Sequence, residues 1–191
     1  MGRTNTSSQS CTIRRRSYLL GTVGVVALSG CAGEGEEENE EEEQEPEDIV
    51  AAWINDNRGD ITSAFDEVEE GEDFVGRERF VAALSHFYDG FEALQSLHED
   101  IEGRAGDADD ENLSELWTIT DDYLFNLSEA AASQYLAMNE MADGNRYVAI
   151  TEYDHATEFY QTASDYAEEL DNNLDNAIED SIPTHRPTEI L

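Results

Sequence analysis

The chain has 191 residues with 46 acids against ten basic residues, a net charge of −36 at neutral pH, and all ten basic residues are arginines. Without lysine there is no P-loop lysine, Schiff base or Ser-Lys dyad, and so acidic a chain has no basic face to attract phosphate, which argues against nucleic-acid binding. Four arginines precede Cys31 and every acid follows it, so the chain from Cys31 onward sets six arginines against 46 acids, a net −40. Self-repulsion on that scale opposes compaction in dilute buffer. It is largely screened at about 1 M salt, where the Debye length falls to about 3 Å, so a salty environment and diffuse cations are expected.

Residues 1–31 start polar and arginine-bearing, pass through a short apolar run at 18–27 and end in small residues before Cys31, the plan of a signal peptide. The run falls short of the roughly 20 apolar residues that cross about 30 Å of hydrocarbon, so it predicts an export signal rather than a permanent span. Within it, Arg15-Arg16-Ser17-Tyr18-Leu19 resembles the twin-arginine signal; a general secretory signal also begins on basic residues. Leu28-Ser29-Gly30-Cys31 resembles a lipobox. That resemblance implies cleavage after residue 30 and a diacylglycerol thioether on Cys31, whose two acyl chains give a stable hold at about 0.8 kcal/mol per buried methylene. The alternative is an ordinary cleavage site and a secreted soluble form. Together with the acid excess and absent lysine, the leader is similar to those of exported haloarchaeal lipoproteins, which implies the outer face of the cell membrane. Cys11, the other cysteine, lies in the leader, so no disulfide is expected after processing.

Residues 31–46 predict a disordered spacer, since 11 of the 15 residues from 34 to 48 are acidic and bury no apolar surface. A domain is expected over 47–182, all-α, with apolar residues alternating by three and four and no period-2 stretch. The first helix, 47–70, points Val50, Trp53, Ile54, Ile61, Phe65 and Val68 inward, with Asn57-Arg58-Gly59-Asp60 a candidate kink or break. The second, 76–102, carries Phe80, Leu84, Phe87, Phe91, Leu94, His98 and Ile101 as one seam. The third, 110–143, presents Leu113, Trp117, Leu124, Leu127, Ala131, Met138 and Met141. The fourth, 145–180, presents Ala149, Tyr153, Ala156, Tyr160, Ala163, Ala167, Leu170 and Leu174. Short connections make an elongated antiparallel four-helix bundle the expected architecture. Trp53 with Arg79-Phe80-Val81-Ala82 is echoed by Trp117 with Arg146-Tyr147-Val148-Ala149, a hint of two duplicated hairpins. Pro183 and Pro187 predict a flexible tail over 183–191.

Glu152 and His155 form Glu-x-x-His, the spacing that puts two ligands of a ferritin-like di-iron centre on one helix face. The second such motif is absent, because Ala83, Gln95 and Ile182 stand three residues before His86, His98 and His185. His98, on an apolar seam, reads as a packed core residue. Arg58-Gly59-Asp60 spells an adhesion tripeptide by chance, and Asp107, Asp109 and Glu111 open a calcium loop that Asn112 and Thr118 break. Asn112 and Asn126 head glycosylation sequons. No thiol nucleophile or Gly-x-Ser-x-Gly elbow accompanies these, so no catalytic residue and no cofactor is assigned. The expected function is a lipid-anchored, non-enzymatic interaction or scaffolding module with a protein partner at the cell surface. A metal-binding ferritin-like bundle and an accessory solute-binding lipoprotein are the alternatives.

Overall fold

A computed structural model describes residues 44–174 and 177–188. The expected signal, lipobox and spacer before 44 lie outside the described residues, as do 189–191. The described chain is helical, with no strand among those residues, and four long helices pack together. No described helix is long and apolar enough to cross a membrane.

Helix α1 (Pro46–Val75) starts on a proline whose missing N–H costs nothing at that position, followed by Glu47 and Asp48 in the first turn, where the helix dipole favours acids. It runs unbroken through Asn57–Asp60, contrary to the candidate break. Ile54 and Ile61 on either side stay in one buried register, and Asn57 turns its amide back to the Trp53 carbonyl at 2.8 Å. It also continues beyond 70 to bury Glu72 and Val75.

Helix α2 (Phe80–Ile101) buries Ala83, Phe87, Gly90, Leu94, Leu97 and Ile101. The buried line is thus rotated from the expected seam: Phe80, Leu84 and Phe91 lie at its edge, partly buried. Small residues explain the rotation. A Cβ on Gly90 would stand 3.0 Å from Val68 Cγ2 and 3.1 Å from the Ala64 carbonyl, so α1 and α2 approach closely along this line. After Gly103, at φ +91°, comes the single turn α3 (Arg104–Asp107).

Helix α4 (Glu111–Ala142) is N-capped by Asp110, whose carboxylate accepts the Leu113 N–H at 2.9 Å. It buries residues around most of its circumference because it packs against both α2 and α5. Its end is a glycine stop: Gly144 takes φ +84° and Asn145 N–H reaches back to the Glu140 carbonyl at 2.8 Å. Helix α5 (Arg146–Asn173) buries Ala149, Tyr153, Ala156, Tyr160, Ala163, Ala167 and Leu170, the expected stripe, with buried Leu174 just beyond its end.

The fourth helix therefore stops short of 180, and the segment after it departs from the expected loose tail. Residues 177–188 form a non-helical strap as far as Thr188, with Ile182 and His185 buried. Helix α1 packs on α2 along its length and meets α4, while its direct approach to α5 is marginal at most. The strap occupies that gap. It touches Arg58 and Glu72 of α1, Tyr123 of α4 and Tyr153 of α5.

Two glycines of α1 should respond oppositely to alanine. At Gly71 a Cβ would lie 2.8 Å from the fully buried Phe87 ring, whereas at Gly59 nothing stands within 4 Å. In denaturant unfolding at molar salt, Gly71→Ala is expected to cost about 1–3 kcal/mol by overpacking. Gly59→Ala is expected to gain about 0.5–1 kcal/mol by stiffening the unfolded chain.

Candidate functional site

The apolar stripe of α1 is interrupted at one position: after Phe65 and Val68 comes Glu72, a carboxylate only 5% exposed. Its oxygens are surrounded by donors from three other segments. Oε1 accepts from Gln134 Nε2 of α4 at 2.9 Å and from His185 Nε2 of the strap at 3.2 Å. Oε2 accepts from the Thr188 hydroxyl at 2.9 Å and the Thr188 N–H at 3.2 Å. The Tyr153 hydroxyl divides its proton between Glu72 at 3.4 Å and the Thr188 carbonyl at 3.0 Å. Since a carboxylate only accepts, the imidazole proton sits on Nε2. Gln134 is oriented in turn, because its oxygen accepts from the Tyr160 hydroxyl at 2.9 Å.

Burial alone would push the Glu72 carboxyl up, yet the hydrogen bond and charge of His185, with the two donors of Thr188, hold it below its ordinary value of 4.5. Tyr160 and Tyr153 move the other way. Burial, and then the negative charge of Glu72, push both phenols above their usual range, so they remain donors. The His185 ring lies edge-on to Tyr160, centroids 4.8 Å apart, and faces Phe65 at 5.6 Å. Farther along the strap, Arg58 donates to the carbonyls of Asp180 and Ser181 at 2.6 Å, and the Tyr123 hydroxyl to that of Pro183 at 2.6 Å. The arginine of the supposed adhesion tripeptide is thus a fastening for the strap.

Held in this way, the strap is a ridge between two depressions. Against α5 lies a cleft of about 830 Å³, lined among others by Tyr153, Thr157, Tyr160, Ser164, Arg186 and Pro187. Against α1 lies a smaller, more acidic one of about 440 Å³ with Glu69, Asp73 and Arg77 at its rim. The larger cleft combines two tyrosines, hydroxyls, the Arg186 guanidinium and the Asp154 carboxylate.

The residues singled out in the sequence are placed differently. Cys31 and the leader positions Arg15, Arg16, Tyr18, Leu19, Leu28, Ser29 and Gly30 lie outside the described residues. Glu152 and His155 stand side by side on α5 with Oε2 and Nδ1 3.8 Å apart, and no third ligand joins them among the described residues. The described residues do bring Glu67, Glu70 and His86 together. His98 packs against Phe125 at 5.8 Å with Nε2 3.2 Å from the Asp121 carboxylate. Asn112 is exposed at the start of α4, while Asn126 is 9% exposed and gives its amide to the Asp122 carbonyl at 2.7 Å. The Glu72 cluster was not among the sequence candidates, although Glu72 occupies a core position of an otherwise apolar stripe and Gln134 is one of several polar residues on the buried face of α4.

Glu72→Gln is expected to release the strap. An amide offers one accepting oxygen, so whichever way it turns, its NH₂ confronts donors that faced the carboxylate. A loss of about 2–4 kcal/mol is expected, with amide exchange rising across 177–188 while the long helices stay protected. Because the folded-state carboxyl lies below its unfolded value, its contribution is complete above about pH 4.5 and disappears as pH falls through the folded pKa. The stability gap between wild type and Glu72→Gln should therefore close on acidification. Compared with known proteins, the chain matches no family model, no curated sequence and no solved structure.

Proposed function

We propose that this chain is an exported, lipid-anchored, non-enzymatic interaction module on the outer face of the cell membrane, with the cleft between α5 and the strap as its binding surface. The observation that carries this reading is the buried Glu72 network, which fixes the strap and so preforms the cleft. Glu72 has both oxygens engaged, and Tyr153 and Tyr160 are held protonated, so none of the three is poised to exchange protons near neutrality. The leader and Cys31 supply the address and anchor, the acidic spacer lifts the domain off the surface, and the acid excess suits concentrated salt.

In this reading the helices form an elongated antiparallel bundle. The pairings Trp53 with Asp100, Glu67 with His86 and Phe74 with His86 support that order for α1 and α2, and Tyr88 with Tyr135 and His98 with Asp121 for α2 and α4. Duplicated hairpins gain support from Trp53 and Trp117, equivalent in the sequence echo, which meet edge-to-face at 6.0 Å. Equivalent residues meet in this way near a pseudo-two-fold axis.

A second reading, binding of a small solute, is favoured by the cleft volume of about 830 Å³, within the range of roughly 300–1,000 Å³ usual for small-molecule sites. A photo-crosslinking residue at Ser164, in living cells, separates the two. A discrete protein adduct supports the interaction module. No adduct, with a bound small mass retained in native mass spectrometry, supports the solute reading, and neither result leaves the cleft without a role.

The anchor makes its own prediction: the mature N-terminal peptide begins at Cys31 carrying a diacylglycerol thioether, and Cys31→Ser moves the protein from the membrane fraction to the medium. An unmodified leader on cytosolic protein would contradict it. If the sequons are used, glycan should appear on exposed Asn112 and be missing from buried Asn126 in glycopeptide mass spectra.

A further inference from the structure

We propose that Glu67, Glu70 and His86 bind a single divalent transition-metal ion of the zinc class on the outer surface of the α1 and α2 pair. The site is independent of the cleft and of the anchor. Glu67 and Glu70, three residues apart, share one face of α1. From α2 the His86 ring presents Nδ1 at 2.9 Å from Glu67 Oε2 and 3.5 Å from Glu70 Oε2. One ligand atom from each residue lies within 4.8 Å of the other two.

Three features distinguish this group from an ordinary acidic face. The first is that its nitrogen ligand is preset. The His86 ring stacks on Phe74, centroids 5.1 Å apart and planes 22° from parallel, and Phe74 is itself covered by the Arg79 guanidinium at 4.8 Å. The imidazole therefore has its plane set before any ion arrives.

The second feature is a mismatch in bonding. Two carboxylates converge on one ring nitrogen, which carries at most one proton. Neither Glu67 nor Glu70 has a further hydrogen bond or ion pair among the described residues. The nearby arginines are engaged elsewhere, Arg77 with Asp73 at 3.2 Å and Arg79 over Phe74, and the chain has no lysine. A cation in place of the proton would satisfy both carboxylates and the nitrogen at once.

The third feature is geometric. Bonds of about 2.0–2.2 Å in a tetrahedral site put neighbouring ligand atoms about 3.3–3.6 Å apart. The observed 2.9 and 3.5 Å need only small adjustment, which Glu70, with its side chain 69% exposed, makes freely. One imidazole and two carboxylates suit zinc and its neighbours better than calcium or magnesium, which prefer oxygen alone. Water would complete the coordination from the open side.

Zinc titration of the purified full chain by calorimetry in 1 M sodium chloride tests the site, because salt suppresses diffuse condensation on the acidic surface. One saturable site per chain is expected, weakened at least tenfold by His86→Ala and by Glu70→Gln and unchanged by His155→Ala. Glu70 is so exposed that its variant leaves folding intact, and far-ultraviolet circular dichroism checks both. Cobalt in the same site should give visible ligand-field bands that His86→Ala abolishes. The proposal is overturned if no saturable site appears, if the His86→Ala and Glu70→Gln isotherms coincide with wild type, or if His155→Ala alone removes binding.

Discussion

A carboxylate with almost no access to water organises this domain. Burying a charge costs several kcal/mol even after the surroundings relax, so Glu72 is tolerable only where donors are already aimed at its oxygens. Those donors come from α4, α5 and the C-terminal strap. The charge thus makes a geometric demand on three segments at once: Gln134, Tyr153, His185 and Thr188 must converge on the end of α1. Apolar packing is non-directional and sets the register of a strap only loosely, whereas the strap's hydrogen bonds to Arg58, Tyr123 and Glu72 are directional. The acceptor-only chemistry of Glu72 adds to that register at the end of α1.

The network solves a problem set by the helices. Helix α4 is wrapped by α2 and α5, and α1 leans on α2, which leaves a groove between α1 and α5 that neither fills. The strap closes it, with Phe65 and Tyr160 on the two sides of the His185 ring. Gly71 contributes from a distance: by letting α1 sit against Phe87 it sets the depth at which the adjoining Glu72 enters the groove. The strap has few apolar anchors beside this polar fastening, so it is the part of the fold with most reason to open below the global unfolding free energy.

The long helices were legible because their stripes keep the 3–4 alternation over many turns, and α5 shows it without exception. Two departures have physical causes. Of the candidate kink or break at Asn57–Asp60, the break did not occur, because the flanking isoleucines stay in register and a lone exposed glycine weakens a helix without stopping it. The seam of α2 rotated because close approach at Gly90 outweighed the larger side chains at its edge. Glu72 was hidden in a different way. Its position on the stripe was visible, but it is one of 46 acids, and its partner His185 lies 113 residues away, beyond the reach of any periodicity. His86 escaped for a related reason: Glu-x-x-His is a pattern within one helix, whereas its carboxylates stand on the helix opposite.

The same chemistry is used oppositely inside and outside. Most of the acids face solvent, where their repulsion is long-ranged and falls away as salt shortens the screening length. Glu72, only 5% exposed, is reached little by water and salt, and its hydrogen-bond partners are donors rather than other acids. Raising ionic strength therefore relieves the surface while leaving the interior fastening at nearly full strength. A chain that lacks lysine and spends Arg58 on the strap has few cations with which to neutralise a buried acid. The neutral donors Gln134, Tyr153 and Thr188 and the imidazole of His185 do that work instead, and no arginine is hydrogen-bonded to Glu72 among the described residues.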